Sequence, residues 1–239
     1  MFGLRGPSFV ELTQQALSST TEGYNLLAPK FDQTPFRTPD AVLEPIGELI
    51  GSDASVDTAV DLCCGTGAAM RMLRPKCRKS VTGIDASQGM LAEAARRLQD
   101  APGDVPVRLI HDDVLEVSDD AAYDLATTFG SLGHIPVDRQ RDFVRQIRGM
   151  LKPGGRFVFV AGPMPSVFSP RRWAWRTFNG LMHLRNALID PPFVMFYLKF
   201  TLERARTLLG DHGFDLEVHA PYRGTRWSRL RAVVAHKSE

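Results

Sequence analysis

The chain has 239 residues, of which 44% are hydrophobic and 23% charged, a composition typical of a globular protein that excludes a disordered chain. This length fits one α/β domain with a large core, or two small ones. The net charge of +2 conceals a mildly basic last third, whose excess of Lys and Arg is too small to predict a nucleic-acid groove.

The three cysteines cannot form a paired disulfide framework. Cys63 and Cys64 are adjacent, and no second Cys or His pair stands at metal-binding spacing, so we expect no metal. Three cysteines without a disulfide framework favour a reducing, cytoplasmic compartment. The first residues carry no apolar signal-peptide core, and the apolar run 191–198 is too short to span a membrane.

Residues 1–50 predict a helical cap that is interrupted at Pro35 and Pro39. Within it, residues 24–31 are both aromatic and polar. A segment of this kind ahead of the first strand is placed to cover a cofactor pocket with Tyr24. Tyr24 and Phe31 have an equally plausible role in packing alone.

A cofactor cradle is predicted at residues 58–70. Val60 and Leu62 are the apolar alternates of a buried strand, Gly65-Thr66-Gly67 forms a turn, and residues 68–73 favour a helix. This order places free backbone N–H groups and the positive end of a helix dipole at the carboxyl edge of a sheet.

Asp85 follows Gly65 by twenty residues and ends a second apolar run, residues 81–84. An acid at the tip of the second strand is placed to accept both hydroxyls of a ribose. The alternative is a tight turn followed by a solvated aspartate.

The remaining core alternates strands and helices. Ser87 caps a helix with an apolar face that includes Met90. We then predict strands over 105–110, 123–129 and 156–161, a helix from Asp138, and a turn at 152–155. Asp112 and Asp113, at the tip of the third strand, either accept from the exocyclic amine of a base or form a helix cap or solvated turn. The alternation predicts a parallel sheet covered on both faces.

Residues 163–200 break this alternation. Ser169-Pro170 starts a helix, Asp190-Pro191-Pro192 stops it, and the aromatic segment 193–200 follows. We predict a helical lid insertion that forms the acceptor pocket, or a helix that simply packs on the sheet. A helix over 201–209 and strands over 214–220 and 230–236 follow, and the two strands are joined too closely for a crossover, so they should pair antiparallel.

Four segments together resemble the class I S-adenosylmethionine-dependent methyltransferases: Asp61-Leu-Cys-Cys-Gly-Thr-Gly67, Gly83-Ile-Asp-Ala-Ser-Gln-Gly-Met-Leu91, the acidic turn Asp112-Asp113, and Leu151-Lys-Pro-Gly-Gly155. The resemblance implies a doubly wound, Rossmann-like α/β fold with a seven-stranded, mostly parallel sheet and an antiparallel last strand. The chain is then one domain of 239 residues, divided into a cap (1–50), a cofactor-binding core (51–162), the lid (163–200) and a C-terminal helix with a strand pair (201–239).

The resemblance also implies roles for individual residues toward S-adenosylmethionine, whose product is S-adenosylhomocysteine. Asp61 and the turn of Cys63, Gly65, Thr66 and Gly67 hold the methionine part, and Asp85 takes the ribose hydroxyls. The residues expected at the adenine and the sulfonium are Ala86, Met90, Asp112, Asp113, Val114 and Phe129. Cys63 departs from the common Gly-x-Gly-x-Gly form, and we expect its small size to suffice.

A catalytic base is needed only where the acceptor must lose a proton, and His134, in the loop after the fourth strand, is the candidate, the alternative being a packing histidine. The acceptor pocket is expected at Trp175, Phe178, Phe196 and Tyr197. Asp190-Pro-Pro-Phe193 is similar to the element with which DNA amino-methyltransferases hold a flipped base. It lies about sixty residues too late in the chain for that role, so no nucleic-acid partner is expected.

The predicted function is methyl transfer from S-adenosylmethionine to a small organic acceptor, apolar or aromatic. Two alternatives stay open. One is a regulatory protein that binds the cofactor without turnover. The other is a methyltransferase for a membrane-associated lipid or quinone-like acceptor, whose basic and aromatic insertion makes peripheral contact with an anionic membrane. The oligomeric state does not follow from the sequence.

Overall fold

The computed structural model describes residues 6–117 and 119–238. The strands that it contains are β1 (Val56–Leu62), β2 (Cys77–Asp85), β3 (Val107–His111), β4 (Tyr123–Thr128), β5 (Leu151–Ala161), β6 (Phe214–His219) and β7 (Arg231–Lys237). Within the described residues these seven strands form one sheet in the order β3-β2-β1-β4-β5-β7-β6. β7 pairs antiparallel with β5 and β6, and the pairs from β3 to β5 are parallel. The predicted doubly wound, mostly parallel sheet is confirmed.

The described residues also form eight α-helices: α1 (Phe9–Leu17), α2 (Thr20–Leu27), α3 (Asp40–Ile50), α4 (Ala68–Leu73), α5 (Gln88–Leu98), α6 (Gln140–Met150), α7 (Pro170–Leu188) and α8 (Leu202–Gly210). Apolar residues of α3, α4 and α5 form the core of one face, and those of α6 and α8 the core of the other. The division follows from the amphipathic spacing of each helix. α6 begins two residues after the predicted Asp138.

Two of the predicted strands begin more than one residue away from the predicted position, and the fourth, sixth and seventh differ by one residue at one or both ends. The third begins at Val107 and not at residue 105, because Pro106 has no N–H to donate to the ladder. The fifth includes the predicted turn: its pairing with β4 jumps from Leu151 to Arg156, and Gly154 between them has a φ of 72°. Thus both the turn and the strand are present within β5.

The N-terminal helices are anchored over the carboxyl ends of the strands. The Asn25 side-chain oxygen accepts hydrogen bonds from the Ser87 hydroxyl at 2.7 Å and from the Gly89 N–H at 2.9 Å, at the start of α5. Asp32 accepts the Thr66 hydroxyl at 2.7 Å. The cap is therefore bound to the turn after β1 and to the helix after β2.

The insertion meets both the cap and the loop after β4. The Val194 N–H donates to the Thr20 hydroxyl at 2.7 Å, and the Phe196 N–H donates to the Gly133 carbonyl at 2.8 Å. Segment 193–197 consequently lies between α7 and the carboxyl edge of the sheet. None of the helices in the described ranges is long and apolar enough to cross a membrane.

Candidate active site

A cavity of about 370 Å³ lies where β1, β2 and β4 end. Its walls come from the turn after β1, the tips of the neighbouring strands, the cap and one residue of the insertion. The predicted cofactor and base residues that line it are Tyr24, Asp61, Cys63, Gly65, Thr66, Asp85, Ala86, Met90, Asp112, Asp113, Val114, Phe129 and His134.

The turn after β1 uses the left-handed backbone region three times. Cys63 and Gly65 have φ of 54°, and Gly67 has φ of 80°. A side chain added at Gly65 would meet no atom within 4 Å and would occupy the cavity itself. Cys63 bears a left-handed conformation that costs a non-glycine residue about 1–2 kcal/mol. Backbone conformation therefore matters at this position as well as the small size that the sequence suggested.

Gly67 does not line the cavity. A Cβ on it would lie 3.3 Å from both the Ala94 Cβ and the Leu98 Cδ1 of α5. Its lack of a side chain therefore lets the start of α4 approach α5 closely. This glycine thus allows close packing beneath the cradle. The role of its backbone at the methionine part of the cofactor stays a prediction.

The Asp85 carboxylate is held by the backbone. Its two oxygens accept the N–H groups of Gly65 and Ser87, each at 2.8 Å. Burial raises the pKa of Asp85, while these two hydrogen bonds act in the opposite direction by favouring its charged form. The arrangement fixes an acceptor carboxylate at the edge of the cavity.

Asp61 is a buried acid at the end of β1, with 2% of its surface exposed. Its Oδ1 accepts the Thr127 hydroxyl at 2.7 Å. Burial raises its pKa to about 7, against a smaller opposing effect of the Thr127 hydrogen bond. Among the described residues no Lys, Arg or His forms an ion pair with it. A cationic ligand group beside Asp61 would supply the missing partner.

The acidic turn after β3 uses its carboxylates locally. Asp112 Oδ1 accepts the Asp113 N–H at 2.8 Å, and Asp113 Oδ1 accepts the Leu115 N–H at 2.9 Å. Both side chains are exposed at the cavity rim, and Val114 is buried behind them. The turn shapes this end of the cavity and retains free carboxylate oxygens.

Tyr24 and His134 form a pair inside the cavity. His134 Nδ1 lies 2.5 Å from the Val194 carbonyl, which can only accept, so Nδ1 carries the proton. Nε2 is then the acceptor for the Tyr24 hydroxyl at 2.9 Å. Burial lowers the pKa of His134 and raises that of Tyr24, so both are neutral near pH 7. The pair links the cap, the loop after β4 and the insertion.

Sequence reasoning missed the polar residues of the cap. Arg37 lines the cavity, donates to Asp40 at 2.6 Å, and its buried Nε lies 3.2 Å from Asp32 without the alignment of a hydrogen bond. Asp32 also pairs with Arg97 of α5 and accepts from Thr66. The only sequence signal was the polar content of the segment before the first strand, which does not indicate partners.

The predicted acceptor residues do not line this cavity. Trp175 stacks on Tyr197 with ring centroids 3.8 Å apart, and Phe178 meets Tyr197 edge to face. Phe196 stacks on His183. These rings pack on one another between α7 and segment 193–197. Among the described residues of the insertion, only Val194 lines the cavity. Aromatic content alone did not reveal this mutual packing.

Several of the known proteins to which this chain is similar are described as methyltransferases. Residues 59–155 match a family model described as "Methyltransferase domain". The demethylmenaquinone methyltransferase of Bacillus subtilis is 28% identical over 52% of this chain and 53% of its own length. The carboxy-S-adenosyl-L-methionine synthase of Hydrogenovibrio crunogenus is 31% identical over 49% and 47%. The chain spans about half the length of the curated relatives it matches.

The fold recurs in solved structures. The DhpI–SAH complex superposes with a TM-score of 0.65 at 19% identity, over 97% of this chain and 99% of that one. At this identity the likeness concerns the fold.

Proposed function

We propose that this chain, which belongs to the class I S-adenosylmethionine-dependent methyltransferases, binds S-adenosylmethionine in the cavity and transfers its methyl group to a small organic acceptor. The observation that carries the proposal is that two different acids, Asp85 and Asp61, line one cavity. Asp85 stands ready as a fixed acceptor for hydroxyls, and Asp61 is a buried acid that lacks a cation.

The residues present fit the cofactor. The amino group of its methionine part supplies the cation that Asp61 lacks, and Arg37 faces the same cavity as a donor for the carboxylate. Gly65 leaves open the space that the cofactor needs. Asp85 would accept the ribose hydroxyls through charge-assisted hydrogen bonds. The residues proposed at the adenine and the sulfonium are Ala86, Met90, Asp112, Asp113, Val114 and Phe129.

S-adenosylmethionine supplies a methyl group that is already activated on a sulfonium, so the protein's part is alignment, exclusion of water and proton removal. Tyr24 and His134 are placed for the last of these. The Tyr24 oxygen takes the proton of the acceptor while its own proton passes to His134 Nε2. Tyr24 thus stays a neutral phenol, and His134 ends as an imidazolium. Val194, by accepting from Nδ1, holds the ring in the required tautomer.

We propose that the acceptor is apolar or aromatic. Phe31, Phe36, Leu43, Ile135 and Val194 form an apolar wall within the cavity lining. An apolar wall favours a ligand of the same character. The acceptor-binding role expected of Trp175, Phe178, Phe196 and Tyr197 is not retained for this cavity.

A lipid or quinone-like acceptor is the second candidate. It is favoured by the demethylmenaquinone methyltransferases among the relatives and by the apolar wall. The two candidates differ in where the acceptor is found. Lipid-soluble extracts and aqueous extracts should therefore be tested separately as sources of the acceptor.

The test has two parts. Calorimetry should show binding of S-adenosylhomocysteine, and incubation with S-adenosylmethionine labelled in its methyl group should label a compound in one of the two extracts. Cofactor binding without any labelled product would favour the regulatory alternative. Failure to bind S-adenosylhomocysteine would refute the proposal.

Tyr24→Phe tests the proton path, since it keeps the ring that packs on Phe31 and Phe193 and removes the hydroxyl. With an acceptor that must lose a proton, we expect kcat to fall about 10²-fold or more. The affinity for S-adenosylhomocysteine should change less than about twofold. Tyr197→Phe, outside the cavity, is the matched control. An unchanged kcat in Tyr24→Phe would show that the pair serves closure alone.

A further inference from the structure

The outer face of α7 is an apolar stripe that faces solvent. Trp173, Leu181, Leu184 and Leu188 recur at helical spacing and so share one side of the helix, with Thr177 between the first two. Trp173, Leu181, Leu184 and Leu188 on this stripe are 58%, 61%, 57% and 76% exposed. A surface helix ordinarily turns its apolar side inward, so this face is unusual.

The inner side of the same helix is already occupied. Trp175 and Phe178 pack against Tyr197, and Asn179 exchanges two hydrogen bonds with the Tyr197 backbone. Asn186 does the same with the backbone of Phe193. The orientation of α7 is thus fixed by specific contacts, and the outer stripe is held away from the protein body.

Further exposed apolar residues lie near both ends of the stripe. Val167 and Phe168, just before the helix, are largely exposed. Near the other end, Arg185 donates to the carbonyls of Ala16 and Ser18, the neighbours of the exposed Leu17 in α1.

A basic row runs beside this face. Arg172, Arg176, His183 and Lys199 line a second cavity of about 310 Å³, whose described lining contains no Asp or Glu. Arg176 lies over the Trp173 ring, 5.7 Å from its centroid, and so connects the row to the stripe. Residues 163–200 hold five Lys and Arg against the single acid Asp190.

We propose that this face docks the chain on an anionic lipid bilayer, with the stripe at the acyl boundary and the basic row on lipid phosphates. An amphipathic helix with Trp and Leu on one side and Arg beside them is typical of helices that lie in the membrane interface. A second copy of the chain fits the face poorly, because a symmetric contact would bring two net-positive insertions together.

The docking face is connected to the cavity through segment 193–197. His134, which lines the cavity, and its neighbour Gly133 bond to residues 194 and 196, and Asn179 of α7 bonds to the backbone of residue 197. A lipid-soluble acceptor would then be methylated next to its source. That use rests on the proposed function, whereas the docking itself does not.

The experiment is co-sedimentation of the full chain with vesicles at low salt. We expect it to pellet with vesicles of phosphatidylglycerol and phosphatidylcholine and to remain largely in solution with phosphatidylcholine alone. Leu181→Ser with Leu184→Ser should weaken vesicle binding at least tenfold, and so should Arg176→Glu. Val137→Ser, an exposed apolar residue outside the insertion, is the control and should bind as the parent does.

Three results would overturn the proposal: no sedimentation with anionic vesicles, unchanged binding of the double Leu variant, or a dimer in sedimentation velocity that only the Leu substitutions dissociate. Circular dichroism establishes that each variant is folded. Calorimetry with S-adenosylhomocysteine on the same samples separates the two proposals. Vesicle binding without cofactor binding supports docking and refutes the methyltransferase activity, and the reverse result refutes docking alone.

Discussion

Replacing Asp61 by Asn should stabilise the protein without ligand and impair cofactor binding. Asp61 is buried, its pKa is raised from 3.8 to about 7, and an amide oxygen can still accept the Thr127 hydroxyl. Each pKa unit corresponds to about 1.4 kcal/mol, so the buried charge costs up to about 4 kcal/mol of unfolding free energy. The buried NH₂ group of the new Asn lacks a hydrogen-bond acceptor, and its cost offsets part of this free energy. The expected gain in unfolding free energy near pH 8 is therefore about 1–4 kcal/mol.

The sign of the pH dependence follows from the direction of the shift. Below the ordinary pKa of 3.8 the acid is protonated in both the folded and the unfolded chain, and no penalty exists. Between that value and about 7 the unfolded chain ionises first, so the penalty grows, and above 7 it is complete. The advantage of Asp61→Asn should therefore be large near pH 8 and almost absent near pH 4.

Urea unfolding followed by circular dichroism at several pH values measures this difference. Asp57→Asn, on the same strand, is the matched control, because Lys79 and Arg78 hold the pKa of Asp57 down to about 2 and its charge is favourable. That substitution should give no gain. If Asp61→Asn is no more stable than the parent near pH 8, or if its advantage does not increase with pH, the account of Asp61 is wrong.

The other substitutions test the cradle and its support. Asp85→Ala should weaken S-adenosylhomocysteine binding at least tenfold in calorimetry, since two charge-assisted hydrogen bonds are lost, and unchanged affinity would refute its role. Arg37→Gln should weaken the same binding about five- to tenfold if the guanidinium holds the methionine carboxylate, and equal affinity would exclude that contact. Gly67→Ala should lower the free energy of unfolding by about 1–3 kcal/mol, because alanine is strained in this left-handed backbone and its Cβ would contact Ala94 and Leu98. The affinity for S-adenosylhomocysteine should change less than the stability. If only the affinity fell, Gly67 would have a role in cofactor binding.

The sheet and the cradle could be predicted because their signals are local. Strand, glycine turn and helix follow one another within residues 58–73, and Asp85 lies at the end of the next strand. Parallel strands then bring these carboxyl ends together without further information. Even the errors were local, as where Pro106 delays the third strand.

The cap contacts could not be predicted, because they join residues far apart in the chain. Tyr24 and His134 are 110 residues apart, and Asn25 and Ser87 are 62 apart. Such pairs depend on where the cap packs on the sheet. The periodicity of the sequence predicts helices and strands but does not predict how they pack on each other.

The insertion illustrates a second limit. Its aromatic residues were numerous enough to suggest a ligand pocket, but a count does not distinguish rings that face a ligand from rings that face each other. Trp175 and Tyr197 satisfy one another by stacking. What stayed exposed on α7 was the outer stripe, which consists mainly of leucines and contains one aromatic residue, Trp173.

His134 connects the proposed proton path to the two segments that cover the cavity, the cap and the insertion. Its Nδ1 proton is held by Val194 of the insertion, and its Nε2 accepts from Tyr24 of the cap. If either segment moved away from the cavity, the histidine would lose the contact that fixes its tautomer or the hydroxyl that connects it to the acceptor. The proton path is therefore complete only while the cap and the insertion are both in place. Because Asp32 and Asn25 bind the cap to the residues around the cofactor cradle, an occupied cradle should favour that closed arrangement.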